Sequence, residues 1–392
     1  MVKTSPITGS SNTKLIKGYD TCITSDSRIV NERADKHICL DTGLIFNATG
    51  PRGGEKDFYT DDYELHAESD SSEFKYFDTG SAAGIYDEIV DFIRAETEFR
   101  APQEILDVGC GKGILLRKLK EKYPKSVLHG VEPSRNAQGF FKKTFPEVSF
   151  FEGPLEASPF VRERFDLIVS NGVLEHVPDP VSFLRIIRNS IKKDGYLYIG
   201  VPNFTNNPAD ILTYDHLSHF TPETVSIVFA LAGFEVLASK VMPQRVPMWF
   251  VLKRTEEKPL SEIDVDINKS WSLAQDTLGQ VNAYFKSYDK AAQSAKSKGK
   301  RVAVYGTGAF AMIATRHTQL DVGGIALFLD DNKSIWDSER LGVPVCDPHK
   351  VKARTDISEI IISANPCYLR LIVEKLSKLL IDTPITVHVP KI

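Results

Sequence analysis

A loop rich in glycine and two carboxylates are the residues of this sequence best suited to hold a ligand. An apolar run ends at Asp107 and passes directly into Gly109-Cys110-Gly111-Lys112-Gly113. Because glycine has no side chain, such a loop lets the backbone approach a ligand closely. Glu132 ends a second apolar run, and its carboxylate can accept hydrogen bonds from two neighbouring hydroxyl groups, such as those of a ribose. This spacing indicates a nucleotide-type ligand.

A second group of residues could move a proton. The segment Thr213-Tyr214-Asp215-His216 precedes His219 and Phe220 in a connection between a predicted strand and a helix. A histidine can act as a general base because its pKa lies near neutrality, and a neighbouring carboxylate can hold its tautomer. We therefore expect His216 to be a base assisted by Asp215. Alternatively, Asp215 and His219 only cap or pin the helix that follows.

The elements expected to position these residues alternate between strands and helices. Strands are predicted over residues 103–108, 127–131, 148–151, 165–170 and 195–201, and helices over 82–96, 114–122, 135–144 and 180–192. Such alternation is typical of βαβ units around a parallel sheet. A further helix is predicted after Thr221, followed by strands over 234–240 and 248–253. Ligands of such sheets bind outside the carboxyl ends of the strands, where Asp107, Glu132 and Asn171 lie.

A second α/β pattern begins at residue 299. A strand over 300–305 leads into the glycine turn Gly306-Thr307-Gly308 and a helix, and a strand over 325–329 ends in Asp330. This outline matches a dinucleotide fingerprint. Further strands are predicted over 360–363 and 385–389, separated by a helix over 369–380. The charged segment 256–298 is predicted to form connecting helices.

The glycine loop, Glu132 and the segment 171–180 together resemble the class I S-adenosylmethionine (SAM) methyltransferases. The resemblance implies that Asp107, Gly109, Cys110, Gly111 and Asn171 hold the methionine end of SAM, and that Glu132 holds its ribose. The family commonly carries Gly-Asp after the third strand, whereas Gly153-Pro154-Leu155 stands here, so adenine recognition is expected from the backbone around Leu155 or from Glu156. The triplet Leu174-Glu175-His176 implies either a packing role or, for His176, contact with the substrate.

The whole chain also resembles the three-domain nucleotide-sugar C-methyltransferases. That family combines a small N-terminal zinc domain, a SAM domain and a C-terminal Rossmann-like domain. The resemblance implies an α/β fold with these boundaries: a small domain over 1–75, a Rossmann-like class I methyltransferase domain over 76–255, connecting helices over 256–298, and a second Rossmann-like domain over 299–392.

The same resemblance implies a chemistry. In that family, the histidine of a Tyr-x-Glu-His cluster removes a proton next to a sugar ketone, and the resulting enolate carbon takes the methyl group. His216 matches this histidine, Asp215 stands in place of the glutamate, and Tyr214 is displaced by one position. Tyr63 and His66 fall where the family has a segment that closes over the site. We expect these two residues, together with His176 and His219, on the substrate side.

The N-terminal segment departs from the zinc pattern of that family. Ser25 stands where a second cysteine would follow Cys22, and Thr42 stands where one would follow Cys39. Two thiolates, even with His37 as a third donor, do not make a closed tetrahedral site. We therefore expect no metal. For the C-terminal unit, three interpretations remain open: Gly306 and Gly308 contact the nucleotide of a sugar substrate, the domain is only structural, or it binds NAD.

Composition limits the classes of partner. The chain has 392 residues, 42% of them hydrophobic, and a net charge of −4. This charge offers no basic surface for nucleic acid or an anionic membrane. Residues 1–10 lack the apolar core of a signal peptide, no membrane span is apparent, and five scattered cysteines do not suggest a disulfide framework. We expect a cytoplasmic enzyme acting on a small molecule. The oligomeric state is not predicted.

The sequence thus predicts SAM-dependent methylation of a small polar metabolite, with a nucleotide-linked sugar as the favoured acceptor. O- or N-methylation of a sugar or another small molecule is the alternative within enzymes. An NAD-binding oxidoreductase and a non-catalytic SAM-binding protein are the alternatives of other classes.

Overall fold

The computed structural model describes residues 3–50, 84–97, 102–243 and 245–390. The chain divides into two compact units. The first contains Met1–Lys17, Asp35–Phe204 and Asp215–Ser270, and the second contains Gly18–Ala34, Thr205–Tyr214 and Trp271–Ile392. The described part of the predicted N-terminal domain is therefore shared between the units. The predicted boundaries at residues 75, 255 and 298 stay predictions.

The N-terminal segment forms short strands, which were not predicted from the sequence. They are β1 (Thr13–Tyr19), β2 (Cys22–Ile23), β3 (Ile29–Val30), β4 (Ala34–Cys39) and β5 (Ile45–Asn47). β4 and β5 pair antiparallel, with Lys36 opposite Asn47 and Ile38 opposite Ile45. Residues of β4 alternate between more and less buried positions from Ala34 to Ile38, as expected when one face of a strand is covered.

The elements of the methyltransferase-like region follow the predicted order. They are α1 (Ile85–Glu96), β6 (Glu104–Val108), α2 (Ile114–Lys122), β7 (Val127–Glu132), α3 (Arg135–Thr144), β8 (Ser149–Glu152), β9 (Phe165–Asn171), α4 (Pro180–Ser190), β10 (Ile191–Pro202), β11 (Ser218–His219), α5 (Pro222–Leu231), β12 (Phe234–Val241) and β13 (Pro247–Arg254). α4 ends at Ser190 and β10 begins at Ile191, so the prediction of helix to residue 192 and strand from 195 was wrong at this junction.

The large sheet of this unit has the described strand order β12-β13-β10-β9-β6-β7-β8. The pairs β10–β9, β9–β6, β6–β7 and β7–β8 are parallel, whereas β13 and β12 add antiparallel edges. The direction of winding reverses between β6 and β9. Ligands of open α/β sheets bind at such a switch point, outside the carboxyl ends of the strands. The loops after β6 and β9 are therefore the expected ligand site.

Local sequence signals explain why the helices start where they do. Asp179 caps α4 by accepting a hydrogen bond from the Ser182 backbone N–H, with proline at the first helical position. Thr221 and Thr224 cap α5 reciprocally. Apolar residues cover both faces of the sheet: one cluster includes Leu106 and Ile168, and the other includes Ile105. A parallel sheet covered on both faces holds its strand ends in fixed positions.

The second unit has a smaller, mostly parallel sheet. Its elements are α6 (Ile267–Ser297), β14 (Arg301–Tyr305), α7 (Ala309–His317), β15 (Ile325–Leu329), β16 (Glu339–Arg340), β17 (Val343–Cys346), β18 (Ile357–Ile362), α8 (Leu369–Leu379) and β19 (Thr386–His388). The strand order is β16-β17-β15-β14-β18-β19. The predicted connecting helices are largely one 31-residue helix, α6. None of the described helices is long and apolar enough to cross a membrane.

Candidate active site

The glycine loop is held against the neighbouring strand. The backbone N–H groups of Gly109 and Cys110 both donate to the carbonyl of Val131, over 2.8 and 3.1 Å. Gly109 has φ +75°, and a Cβ there would lie 2.3 Å from the Val173 side chain. A side chain at position 109 would therefore be strained and would clash. Asp107 and Cys110 are buried at the base of this loop.

The Glu132 side chain joins the loops that follow β6 and β7 by hydrogen bonds. One carboxylate oxygen accepts from the Gly111 N–H and the other from the Ser134 N–H, both at 3.0 Å. The side chain is only 7% exposed. A carboxylate oxygen has two acceptor sites and can accept more than one hydrogen bond. Glu132 can thus hold the loop and accept from both hydroxyls of a ribose.

The remaining predicted cofactor residues lie at the same edge of the sheet. Asn171, the last residue of β9, accepts a hydrogen bond from the Tyr198 hydroxyl at 3.1 Å. Leu155 is buried in the turn after β8. The N–H of Gly153 in that turn donates to the Glu132 carbonyl at 3.0 Å. The first unit therefore brings the predicted glycine-loop, ribose and adenine positions to neighbouring strand ends.

An acid and histidine cluster lies beside this edge. The His176 Nδ1 lies 3.0 Å from the Asp215 carbonyl, and the His176 and His216 rings meet edge-on with centroids 4.7 Å apart. Asp215 is fully buried, and His216 is 8% exposed. Because a carbonyl only accepts, His176 must carry a proton on Nδ1. The structure thus brings together three of the residues that the sequence singled out: His176, Asp215 and His216.

Short contacts join this cluster to the glycine loop. Val173 packs against Gly109, as described, and its carbonyl accepts from the His176 N–H at 3.0 Å. The Glu175 carbonyl accepts from the Leu217 N–H at 2.8 Å, which ties the segment after β9 to the segment that carries His216. A displacement of the glycine loop would therefore also displace His176 and the segment that carries His216.

His219 has a partner that the sequence analysis missed. The Lys36 Nζ lies 3.1 Å from the His219 Nε2, and both side chains are fully buried. β11 adds to the small sheet beside β5, with His219 opposite Ile45, so β5 separates the strands of these two residues. The available signal was the position of Lys36 on the covered face of an alternating strand. Lysine is rarely buried unless it has a partner.

The same cluster offers ligand atoms for a metal. One atom each from Glu175, His176 and His216 lies within 4.8 Å of the others. The His176 Nε2 lies 4.0 Å from a Glu175 oxygen, while its Nδ1 faces the Asp215 carbonyl. The sequence had pointed to no metal, and this triad uses none of the N-terminal cysteines considered there. The expectation of no metal stays a prediction.

Tyr214 belongs to the second unit, where it forms hydrogen bonds with Glu32 and Ile23. Its hydroxyl donates to Glu32 at 2.5 Å, and its backbone N–H donates to the Ile23 carbonyl at 2.8 Å. Burial and the Glu32 carboxylate raise the pKa of Tyr214 far above its ordinary value, so the hydroxyl stays protonated. Its predicted part in proton transfer stays a prediction. Tyr63 and His66 lie outside the described residues.

The glycine turn of the second unit repeats one backbone hydrogen bond of the first. Gly306 N–H donates to the Leu329 carbonyl at 2.7 Å, as Gly109 does to Val131. Asp330 then accepts from the Thr307 hydroxyl and from the Asn332 N–H, both at 2.9 Å. Asp330 therefore occupies the place that Glu132 occupies in the first unit. Gly308 is the N-cap of α7, and a Cβ there would meet no described atom within 4 Å.

Comparison with known proteins identifies the class of the first unit. Residues 82–239 match the family model of a methyltransferase domain. With the sheet order and the loop geometry, this match identifies a class I SAM-dependent methyltransferase domain. Its cofactor is S-adenosyl-L-methionine, and the residues present fit it: the buried Glu132 carboxylate, held beside the glycine loop by the Gly111 N–H, is of the type that accepts hydrogen bonds from ribose hydroxyls.

Individual relatives agree on the class but differ in substrate. The chain is 26% identical over 170 residues to trans-aconitate 2-methyltransferase of Acidovorax sp. strain JS42, covering 41% of this chain and 64% of the relative. It is 31% identical over 104 residues to malonyl-[acyl-carrier protein] O-methyltransferase of Halalkalibacterium halodurans, covering 24% and 38%. A SAM-dependent methyltransferase structure from Mesorhizobium loti aligns at 16% identity and TM-score 0.37, covering 42% and 96%.

The chain thus spans less than two thirds of the length of these curated relatives. The family match covers only the central part of this chain, and the N-terminal segment and the second unit lie largely outside it.

Proposed function

We propose that the whole protein transfers a methyl group from SAM to a small polar metabolite, and that the acceptor is a nucleotide-linked sugar methylated at the carbon next to a ketone. The observation that carries the proposal is the buried cluster of His176, Asp215 and His216, which contacts join to the glycine loop. The Asp215 carboxylate lies 3.6 Å from the His176 Nδ1, and a cluster of buried imidazoles next to a carboxylate is suited to proton transfer.

The proposed reaction needs one base and one methyl donor. His216 accepts the proton from the carbon next to the ketone, and the electron pair of that C–H bond forms an enolate. When bound, SAM supplies a methyl group on a positively charged sulfur, which the enolate carbon takes up while the sulfur keeps the electrons of the broken bond. Asp215 stabilises the imidazolium that forms on His216. The proton leaves from His216 to solvent after the product departs.

His176 and His219 are proposed to contact the substrate from the same cluster, and Tyr63 and His66 are proposed to close over it. Gly306 and Gly308 are proposed to bind the nucleotide part of the substrate through the backbone of the glycine turn. Asp330 accepts hydrogen bonds at this turn in a pattern similar to that of Glu132 in the first unit, which supports a nucleoside as the ligand of the turn. We also propose that the enzyme works in the cytoplasm and needs neither nucleic acid nor a membrane as a partner.

A second candidate is O-methylation, because a relative of this domain carries that activity in its name. In that reaction, His216 would take the proton of a hydroxyl group instead of a C–H proton. The two candidates differ in what happens when SAM is omitted: only C-methylation through an enolate exchanges a carbon-bound proton with solvent.

The test is a deuterium exchange experiment. Wild-type protein is incubated in D₂O with nucleotide-linked keto sugars, without SAM, and carbon-bound deuterium is measured by NMR. The proposal predicts exchange next to the ketone in the wild type and its loss in His216→Ala. Methyl transfer with SAM but no exchange would favour O-methylation. NAD retained by the purified protein would favour the oxidoreductase, and failure to bind SAM would favour a non-catalytic role.

A further inference from the structure

Two carboxylates are buried beside His176. Asp215 is fully buried, and the Glu175 side chain is 4% exposed. The His176 Nε2 lies 4.0 Å from a Glu175 oxygen, and its Nδ1 lies 3.6 Å from an Asp215 oxygen. Burying a carboxylate costs free energy unless hydrogen bonds, a cation or a metal ion compensate. A divalent cation at this place would offset the charge of both carboxylates.

Three residues of this cluster bring together ligand atoms that suit such a cation. Glu175 offers a carboxylate oxygen, His176 and His216 each offer a ring nitrogen, and each of these atoms lies within 4.8 Å of the others. All three residues belong to the first unit. Two imidazoles and one carboxylate form the protein ligands of catalytic zinc sites and of non-haem iron(II) sites, where further positions stay open.

The hydrogen bond of His176 favours metal binding through its other nitrogen. Its Nδ1 lies 3.0 Å from the Asp215 carbonyl, which can only accept, so Nδ1 carries a proton. In the neutral ring, the lone pair is then on Nε2, the nitrogen on the Glu175 side. Histidines that bind metals almost always donate their other ring N–H to a carbonyl, a carboxylate or a water molecule. The Asp215 carbonyl thus selects the tautomer that a metal ligand needs.

The backbone holds the three residues close to one another. Glu175 and His176 are consecutive in the turn after β9, and the Glu175 carbonyl accepts from the N–H of Leu217, the residue next to His216, at 2.8 Å. Metal–ligand bonds of about 2.0–2.2 Å place two ligands of a tetrahedral ion about 3.3–3.6 Å apart. The Glu175 oxygen and the His176 Nε2 are 4.0 Å apart. Small side-chain rotations would therefore bring the ligand atoms to bonding distance of one ion.

We propose that Glu175, His176 and His216 form a binding site for a divalent transition-metal ion such as Zn²⁺. A neutral imidazole has one nitrogen lone pair, so His216 bonded to the ion has none left to accept a proton. An ion at this site therefore inhibits methyl transfer. The site itself depends only on the three residues, whereas the inhibition rests on the proposed function. The expectation of no metal was based on the N-terminal cysteines and His37, which take no part in this site.

The test uses the full chain, freed of metal by a chelator, with Zn²⁺ and Co²⁺ as probes. In calorimetric titrations, Glu175→Gln, His176→Asn and His216→Asn should each weaken Zn²⁺ binding at least about 10–100-fold. The first equivalent of Co²⁺ should give visible absorption without a thiolate-to-metal charge-transfer band. A thiolate band would place the ion on cysteines and overturn the proposal, as would wild-type Zn²⁺ affinity in the three folded variants.

Control variants show which residues hold the ion. Asp210 and His219 are also buried and have side chains that can bind metals. Asp210→Asn and His219→Gln leave the three proposed ligands in place and should bind Zn²⁺ like the wild type, as should His349→Asn at an exposed position. Loss of Zn²⁺ binding in Asp210→Asn and His219→Gln, with binding kept in Glu175→Gln, would overturn the proposal.

Wild-type protein alone also tests the site if the variants do not fold. Zn²⁺ should shift the ¹⁵N signals of the His176 and His216 rings, and shifts confined to other histidines would overturn the proposal. In the deuterium exchange assay, Zn²⁺ should stop the exchange and a chelator should restore it. Exchange that continues with Zn²⁺ bound to the three residues would refute His216 as the base and leave the metal site supported. No exchange in the metal-free wild type would count against the proposed function alone.

Discussion

Replacing Glu132 with glutamine tests the cofactor site most specifically, because this carboxylate has two separate tasks. It accepts the backbone N–H groups of Gly111 and Ser134, and it is predicted to accept the two ribose hydroxyls of SAM. Glutamine has the same shape but only one acceptor oxygen. Its NH₂ group must therefore face one of the two backbone N–H donors.

The two tasks predict two separate magnitudes. A buried backbone N–H that faces another donor costs about 1–3 kcal/mol. This cost is present with and without ligand, so it lowers the free energy of unfolding rather than the affinity. Loss of one hydrogen bond between a ribose hydroxyl and a charged acceptor costs about 1.5–3 kcal/mol. That loss appears in binding and corresponds to a roughly 10- to 150-fold weaker Kd for SAM.

Isothermal titration calorimetry with SAM measures the affinity, and urea unfolding measures the stability. The matched control is Glu152→Gln, because Glu152 lies directly opposite Glu132 on β8 but is paired with Arg135 at 3.9 Å. The control should bind SAM within about twofold of the wild type. If Glu132→Gln also bound SAM within twofold while remaining folded, the assignment of Glu132 to the ribose would be refuted.

Three further predictions concern catalysis, backbone strain and pH. His216→Ala should lower the rate of methyl transfer about 10²–10⁴-fold, measured as S-adenosylhomocysteine formed in a coupled assay. The control variant His349→Ala, at an exposed position, should keep the wild-type rate. Equal rates for wild type and His216→Ala would exclude His216 as the general base. Gly109→Ala should lower the free energy of unfolding by about 2–3 kcal/mol, because it adds a Cβ at φ +75° against a side chain 2.3 Å away. The control Gly139→Ala, at an open helical position, should raise the free energy of unfolding by about 0.5–1 kcal/mol. Urea unfolding measures both changes, and a Gly109→Ala variant as stable as the wild type would refute backbone strain at this position. Burial acts to raise the pKa of Glu359, but lysine, histidine and serine donors outweigh it and hold the pKa below its ordinary value of 4.5. The ionised Glu359 carboxylate therefore stabilises the fold above about pH 4.5 and loses that contribution as the pH falls through its lowered pKa. The difference in free energy of unfolding between wild type and Glu359→Gln should shrink on acidification. A difference that stays constant with pH would contradict the stabilising role of the ionised carboxylate.

Most strands and helices of the two larger sheets could be predicted in chain order from the sequence, because apolar periodicity and glycine turns are local signals, but β16 and β17 were not predicted. The helix Ile114–Lys122 and the strand Ile325–Leu329 lie where they were expected. The strands of residues 13–47 were not predicted, and very short ones such as Ile45–Asn47 depend on partners distant in sequence. The assignment of residues to the two units is likewise non-local.

The residues of the site likewise include some that could be predicted from the sequence and some that could not. Glu132 could be singled out because its chemistry and its strand-end position are both visible in sequence. Lys36 could not, because its contact with His219 spans 183 residues and is made through the pairing of short strands. The hydrogen bond from Tyr214 to Glu32 also has no local signal, because the two residues are 182 positions apart in the sequence.

The atom that receives the methyl group distinguishes C-methylation from the alternative reactions. The full chain is incubated with SAM carrying a ¹³C-labelled methyl group and a series of nucleotide-linked keto sugars, and the products are analysed by NMR and mass spectrometry. If the protein is the proposed C-methyltransferase, the labelled methyl group becomes bonded to the carbon next to the ketone in the wild type and not in His216→Ala. Labelled methyl on an oxygen or nitrogen atom, or an equal yield from His216→Ala, would contradict it.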